Sequence, residues 1–338
     1  MGLLKQDWWF MRERMISEGL SGISRFAPVY WERPWGGRAF ECCFGRRLPG
    51  PGLFGESWEV VDRPEACSVL RGGSFDGWNL RRLWRERAGE AFGVEPAPGT
   101  DFPLILKFLD ARLTLSVQVH PREKGSGIGQ GDPKTEWWYV VEAQLDACVY
   151  AGFQRGVDAG DLRKALKEGT VERLLHRIPV RKGDSLFVPS GRCHAIGAGC
   201  LIAEVQQNSD TTYRVFDWNR AGADGSRRAL HLEEAFGCIN FSDYEPALEC
   251  SLSEKPFECG HFAVSLLEVR EGVQLSGRTG AVFLVVEGEA VAVPNRERFV
   301  AGDTFLLPAS VEEGLEIVPE ERGVRLLKVD LRGVRQKK

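Results

Sequence analysis

Gln118 and His120 stand at i and i+2 in the stretch Ser116-Val117-Gln118-Val119-His120-Pro121. In an extended strand such positions share one face, and Val117 and Val119 take the other. Glu136 follows 16 residues after His120, at the head of Trp137-Trp138-Tyr139-Val140-Val141. Farther on, the spacing is Gly183, five residues, Pro189, one residue, Gly191, two residues, His194. Gly183-Asp184 reads as a tight turn and Ser185 to Val188 as a buried strand. Pro189 and Gly191 stop that strand and turn the chain, so that His194 starts the next one pointing inward. Two imidazoles, a carboxylate and an amide offer nitrogen and oxygen donors without a thiolate. Such a set suits a borderline divalent ion such as Zn²⁺, with room left for water or substrate. Taken singly, either histidine reads as a satisfied structural residue. His176, His231 and His261 fall outside the pattern and read as structural, and Trp137-Trp138 reads as core and rim packing.

These groups need strands to carry them. Of 338 residues, 39 are Gly, which favours many turns and short strands over long helices. From Pro28 onward, short apolar runs alternate with Gly and Pro, the texture of an all-β sandwich or barrel. Helical spacing is confined to residues 3–19, where Leu4, Trp8, Met11, Met15 and Leu20 mark one face, to Gly77 to Ala91, to Gly160 to His176, and to His231 to Phe236. An internal repeat sets the plan. Residues 180–190 and 299–309 each carry Gly-Asp, an apolar run and Pro, pairing Gly183 with Gly302, Asp184 with Asp303 and Pro189 with Pro308. Each copy is preceded by a strand ending Val-Val-Glu, at Val140-Val141-Glu142 and Val285-Val286-Glu287. Two strand–turn–strand units imply two related β-barrels in tandem, divided near Asn240 to Glu254.

Composition excludes several classes. With 43% hydrophobic and 27% charged residues the chain is an ordinary globular protein rather than a disordered one. A net charge of −4 and a pI near 5.9 argue against a nucleic-acid surface, while leaving room for a local basic pocket. The longest apolar stretches, such as Ala281 to Val286, fall far short of the ~20 residues of a membrane span. Charges scattered through Met1 to Leu20 leave no apolar region for a signal peptide. The nine cysteines show no zinc-ribbon spacing and read as reduced thiols of a cytoplasmic protein.

The Gly183–His194 spacing matches the second motif of the cupin superfamily, whose histidine is a metal ligand. Gln118, His120 and Glu136 stand where the first motif has its ligands, with Gln118 in the place of a first histidine. Aligned on its Gly-Asp turn, the second copy has Glu313 at the place of His194 and Ser276 near that of His120, so no metal is expected there. More closely, the chain resembles the type I mannose-6-phosphate isomerases (phosphomannose isomerases) in their short bacterial form. The likeness is carried by Pro34-Trp35-Gly36-Gly37-Arg38, by Gly55-Glu56-Ser57-Trp58-Glu59-Val60, and by Pro103-Leu104-Ile105-Leu106-Lys107-Phe108-Leu109-Asp110-Ala111. It continues through Leu115 to Pro121, Lys134-Thr135-Glu136-Trp137-Trp138-Tyr139, and the run from Pro189 to Arg220. It covers about residues 28–240 strongly and the rest loosely.

The resemblance implies a mainly β, tandem cupin fold with a few added helices. It comprises an N-terminal helical extension over 1–25, a catalytic metal-binding cupin domain over 26–240, and a C-terminal cupin domain without metal ligands over 241–338. It implies one zinc ion per chain, held by Gln118, His120, Glu136 and His194, and interconversion of mannose 6-phosphate and fructose 6-phosphate through a cis-enediol. Arg214 matches the family's active-site arginine. Lys107 and Glu204 fall at pocket positions, and Ser57 and Trp58 are further substrate-binding candidates. The partner is a small-molecule sugar phosphate; no nucleic acid, membrane or particular oligomer is implied. One departure lies beside the site, where Arg122-Glu123-Lys124 replaces an acidic pair and Gly125 to Gly131 is Gly-rich.

The chemistry is consistent with these residues. An aldose–ketose isomerisation moves a proton between C1 and C2. It needs an electrophile, which Zn²⁺ can be, a base, for which Glu204 is the candidate, and an anion anchor, for which Arg214 has a suitable planar fork. Lys107 adds positive charge. The bland readings are a structural Glu204 paired with Lys or Arg, and an Arg214 paired with Asp217 or Asp210. Two other functions compete: a non-catalytic sugar-binding cupin with a structural metal, and a different cupin metalloenzyme such as an iron oxygenase. Lys107, Glu204 and Arg214 together argue against the first, and Gln118 against the second.

Overall fold

The structure is a computed structural model and describes residues 22–122, 131–220, 225, 227–249, 252, 255–277, 279–293, 296–311 and 314–336. The helix expected over residues 3–19, residues 123–130 of the departing loop, and Glu313 lie outside them. The mainly β class expected from the sequence is present. Two antiparallel sheets build the first barrel. One has six strands in the order Ser185–Val188, Glu136–Ala143, Cys200–Gln207, Leu104–Ala111, Phe54–Val60 and Val29–Gly37. The other has five, in the order Leu175–Pro179, Cys148–Phe153, His194–Ile196, Val117–Val119 and Tyr213–Phe216.

Alternation along these strands sorts their side chains between two environments. On the six-stranded sheet Leu104, Leu106, Phe108, Trp137, Tyr139, Val141, Leu201, Ala203 and Val205 face outward into a core shared with the second barrel. Their neighbours Leu109, Ala111, Trp138, Val140 and Ile202 face inward, where they meet Val149, Ala151 and Ile196 of the five-stranded sheet. That second sheet turns Val117, Val119, Tyr150, Ala195 and Val215 to its outer face, under Leu162 and Ala165 of one helix and Ala235 and Cys238 of another. Gln118 is therefore an inward residue, as the i, i+2 spacing requires.

The repeat is visible in hydrogen bonds. Gly183 N–H donates to the Val140 carbonyl at 2.9 Å, and Val140 N–H donates to the Asp184 carbonyl at 2.9 Å. In the second copy Gly302 donates to Val285 at 2.8 Å, and Val285 to Asp303 at 2.9 Å. Around this second copy a nine-stranded sheet wraps an apolar interior that includes Phe283, Val285, Phe299, Phe305, Leu307, Ile317 and Leu326. Its two long strands, Ala281–Val293 and Leu315–Leu331, bend at a bulge where Gly288 (φ 75°) meets Gly323. A Cβ on Gly288 would overlap the Gly323 carbonyl oxygen, so only glycine fits. Ser24–Phe26 pairs with Thr304–Leu307 of this sheet.

Three described helices lie in expected segments, one of them shortened, and the one-turn helix Ala39–Cys42 lies in none. Leu80–Phe92 starts at Asn79, whose side chain accepts the Arg82 N–H, and stops at Gly93. Leu232–Cys238 lies where His231 to Phe236 was expected. The segment read as one helix from Gly160 to His176 is helical only over Ala159–Glu168, after a capping box at Asp158. Gly169 takes a left-handed φ of 70° and ends it, and Leu175–Pro179 then pairs as a strand with Cys148–Phe153. No helix of the described residues is long and apolar enough to cross a membrane. Every described cysteine is a free thiol.

Phe283 is fully buried and stacks on Phe305 at 5.1 Å. Phe283→Ala is expected to cost about 3–5 kcal/mol, read as a lower denaturant midpoint, while the folded fraction keeps its metal affinity. Loss of metal affinity in the folded variant would contradict a purely structural second barrel.

Candidate functional site

The first barrel encloses a cavity of about 400 Å³. Three strands and one loop deliver the metal-ligand candidates, of which Gln118 lines the cavity. His194 is paired in register with Gln118, and Glu136 with Val188 and Gln206. His120 follows directly on the Val117–Val119 strand. Gly191 makes the approach to His194 possible. Its φ is 88°, its N–H donates to the His120 carbonyl at 3.0 Å, and a Cβ there would lie 2.5 Å from Arg122 Nε.

The donor atoms of His120, Glu136 and His194 all lie within 4.8 Å of one another, the one such cluster among the described residues. His120 Nε2 is 3.1 Å from Glu136 Oε1 and His194 Nε2 is 3.5 Å from Oε2. Gln118 Nε2 lies 3.2 Å from His194 Nε2. Both imidazoles place Nδ1 2.9 Å from a backbone carbonyl, that of Thr211 for His120 and of Arg192 for His194. Donation from Nδ1 leaves each Nε2 an acceptor lone pair facing the cluster, with Gln118 Nε2 beside that of His194 and Lys134 Nζ 3.5 Å from that of His120. All three side chains are buried, and neither Glu136 oxygen makes a hydrogen bond of ordinary geometry. One cation is already there, Lys134 Nζ at 2.6 Å from Oε1, while Oε2 faces His194 Nε2 without a hydrogen bond of ordinary geometry. The cluster thus fits a divalent ion.

Protonation agrees with that fit. Burial pushes the His120 imidazole below its usual range, helped by the Lys134 charge, and brings His194 down to about 3. Burial opposes ionisation of Glu136, but Lys134 and the imidazoles overcome it and hold the carboxyl well below its usual range. Neutral imidazoles beside a carboxylate are the metal-binding forms.

Over 300 residues, 85% of this chain and 93% of the relative, the sequence is 35% identical to the mannose-6-phosphate isomerase ManA of Bacillus subtilis (strain 168). The chain belongs to the mannose-6-phosphate isomerase family. The crystal structure of the mannose 6-phosphate isomerase from Bacillus subtilis matches with a TM-score of 0.75 and 29% identity, over 91% of this chain and 99% of that one. A mannose 6-phosphate isomerase structure bound with zinc and yttrium shares the fold, with a TM-score of 0.68 and 17% identity, over 92% of this chain and 100% of that one. No protein-family model matches the chain.

As in the sequence reading of this family, Lys107, Gln118, Glu204 and Arg214 line the cavity. Glu204 is buried, and Trp138 Nε1–H donates to its Oε1 at 2.9 Å. Burial and the Glu136 charge push its carboxyl up to about 7, against Lys134 and Lys107. Its contact with Lys107 is a loose 4.0 Å, so it is not the tightly paired structural carboxylate of the bland reading. Lys107 Nζ sits over the Trp58 ring at 4.6 Å, 3.6 Å from Glu56 and 3.8 Å from Asp210. Arg214 is not paired with Asp217, which binds Arg220 and Arg228 instead. Arg214 Nη1 donates to the Ala229 carbonyl at 2.8 Å, while its Nε is buried without a partner. His231, read as structural, accepts the Arg214 backbone N–H at 3.1 Å.

Ser57 and Trp58 do not line the cavity. Ser57 lies on the opposite strand face, where it accepts from Arg46 at 2.8 Å and bonds Glu59. Trp58 backs Lys107 and donates to Glu56 at 2.6 Å. A resemblance selects the segment, but strand alternation decides the face. Trp138 was read as packing, yet it holds Glu204 and meets His194 edge-on at 5.4 Å.

Lys134, in the stretch Lys134-Thr135-Glu136-Trp137-Trp138-Tyr139, adjoins the donor cluster. Its Nζ is 2.6 Å from Glu136 Oε1 and 3.5 Å from His120 Nε2. The signal was its i, i+2 relation to Glu136. Arg33, Asp210 and Arg228 also line the cavity.

Two outcomes follow for the histidines. His194→Ala should lose the divalent ion on dialysis, checked by elemental analysis; full retention would remove His194 from the ligand set. An unfolded histidine takes up a proton near 6.5 that buried His194 refuses until about 3. The unfolded state thus binds more protons in that window, and chelator-treated protein should lose stability as pH falls through it. In His194→Leu the loss between those limits should be smaller; an identical pH slope would contradict the burial argument.

Proposed function

We propose that this chain interconverts mannose 6-phosphate and fructose 6-phosphate, with a zinc ion held by Gln118, His120, Glu136 and His194. The observation that carries the reading is the buried Glu136 carboxylate, whose two oxygens face the Nε2 atoms of His120 and His194, next to Gln118, Lys134 and Trp138 of a cavity of sugar-phosphate size. Family membership supplies the reaction class, and the relative's name supplies the substrate.

When bound, the ion would supply Lewis-acid polarisation of the substrate's carbonyl and hydroxyl oxygens. The rest falls to side chains. Five basic residues, Arg33, Lys107, Lys134, Arg214 and Arg228, line the cavity with only three carboxylates, Glu56, Glu204 and Asp210. A phosphorylated substrate therefore enters a locally positive site in a chain of net charge −4. Arg214, with an unpaired Nε, can fork onto the phosphate or onto the oxygen that gains charge in the enediol. Glu204 accepts the proton from C2 of the aldose and returns it to C1, while the hydroxyl proton of O2 passes to O1, and the two transfers together yield the ketose; the reverse transfers regenerate the aldose. A carboxyl held near neutral pH suits both halves of that transfer. Trp138 keeps the carboxylate oriented, and Lys134 can donate to a substrate oxygen beside Glu136.

A coupled assay on mannose 6-phosphate tests the reading. Turnover should vanish with chelator and return with zinc; no turnover with zinc present would favour a sugar-binding role, and iron in the purified protein a different metalloenzyme. Glu204→Gln should lower kcat by roughly 10²–10⁴ while zinc stays bound. Wild-type kcat/KM should rise with pH along a limb no higher than about 7, since a cation beside Glu136 favours ionised Glu204. An unchanged rate in Glu204→Gln would remove it as the base.

A further inference from the structure

The run Gln206-Gln207-Asn208-Ser209 closes the Cys200–Gln207 strand and is buried or half-buried throughout. Four consecutive polar side chains in such a place need partners, and each finds one on the backbone of another segment or of this one. Gln206 Nε2 donates to the Gln207 and Ser209 carbonyls at 2.9 and 2.6 Å. Gln207 Oε1 accepts the Thr135 N–H at 2.8 Å. Asn208 Nδ2 donates to the Asp62 and Phe102 carbonyls at 2.9 and 2.8 Å. Ser209 Oγ donates to the Asp132 carbonyl at 2.9 Å and accepts the Thr211 N–H at 3.2 Å.

The segments tied down this way are those that present the ligand candidates. Thr135 lies between Lys134 and Glu136, and Asp132 opens the same approach. Thr211 supplies the carbonyl that meets His120 Nδ1. Ser209 is only 1% exposed, so its hydroxyl has no water to replace those bonds. We propose that Ser209 and Gln207 are positioning residues: they fix the Thr211 carbonyl that orients His120 and the Lys134–Glu136 segment that delivers the carboxylate. Neither touches the donor cluster. Their effect reaches it through one backbone carbonyl and one backbone N–H, the kind of outer support whose loss weakens a metal site without dismantling a fold.

The inference rests on the proposed metal site, so the wild-type chain is measured first. Zinc alone is the probe, titrated in competition with a chromophoric chelator. Wild type that binds no zinc refutes the metal site itself. Given zinc binding, Ser209→Ala should weaken it by roughly 10- to 100-fold, Ser209→Thr should restore most of it, and saturating zinc should recover kcat in the alanine variant. Gln207→Met, at a half-buried position, gives the second measurement and should weaken zinc in the same direction. Wild-type affinity in both folded variants overturns the proposal. So does a loss that Ser209→Thr fails to rescue, or one that tracks a fall in melting temperature of the metal-free protein.

Discussion

A carboxylate ionised inside a β-barrel has to be matched by positive charge, and the rest of the first barrel is arranged around that requirement. Glu136 is 1% exposed and its oxygens lack ordinary hydrogen bonds. Around it stand one ammonium, from Lys134, and two imidazoles whose outer nitrogens are occupied by backbone carbonyls. The imidazoles are held neutral by burial, so they offer lone pairs rather than charge. That combination supports a divalent cation; the neighbouring carboxyl, Glu204, is pushed up by its burial and then by the Glu136 charge, against Lys134 and Lys107.

The two barrels make opposite use of the same strand–turn–strand unit. In the first, alternation sends Lys107, Glu136, Trp138 and Glu204 inward and gives their outward neighbours to the shared core. A slip of one residue in the Glu136–Ala143 strand would bury Trp137 in the cavity and turn Glu136 into that apolar core. Register is therefore tied to function. The described interior of the second barrel is filled with Phe, Val, Leu and Ile, and its outward face completes the core against which the first barrel rests.

Much of this was legible in the sequence where geometry is local. The i, i+2 pair Gln118 and His120, the Pro-Gly-His spacing before His194, and the Gly-Asp turns of the repeat each depend on a few neighbouring residues. Glu204 and Arg214 came from family resemblance and both line the cavity. Ser57 shows the limit: the face it takes depends on pairing with Tyr30 and Phe108, partners far off in sequence. Lys134 precedes the Glu136–Ala143 strand, so only its i, i+2 relation to Glu136 marks it in the sequence. The helix expected through His176 ended early because one glycine could take a left-handed turn and a strand partner waited beyond it.

The most direct measurement is anomalous diffraction at the zinc edge from crystals of the purified protein. One peak is expected per chain, within bonding distance of Gln118, His120, Glu136 and His194. A peak in the second barrel, or density for the ion away from Glu136, would contradict the account.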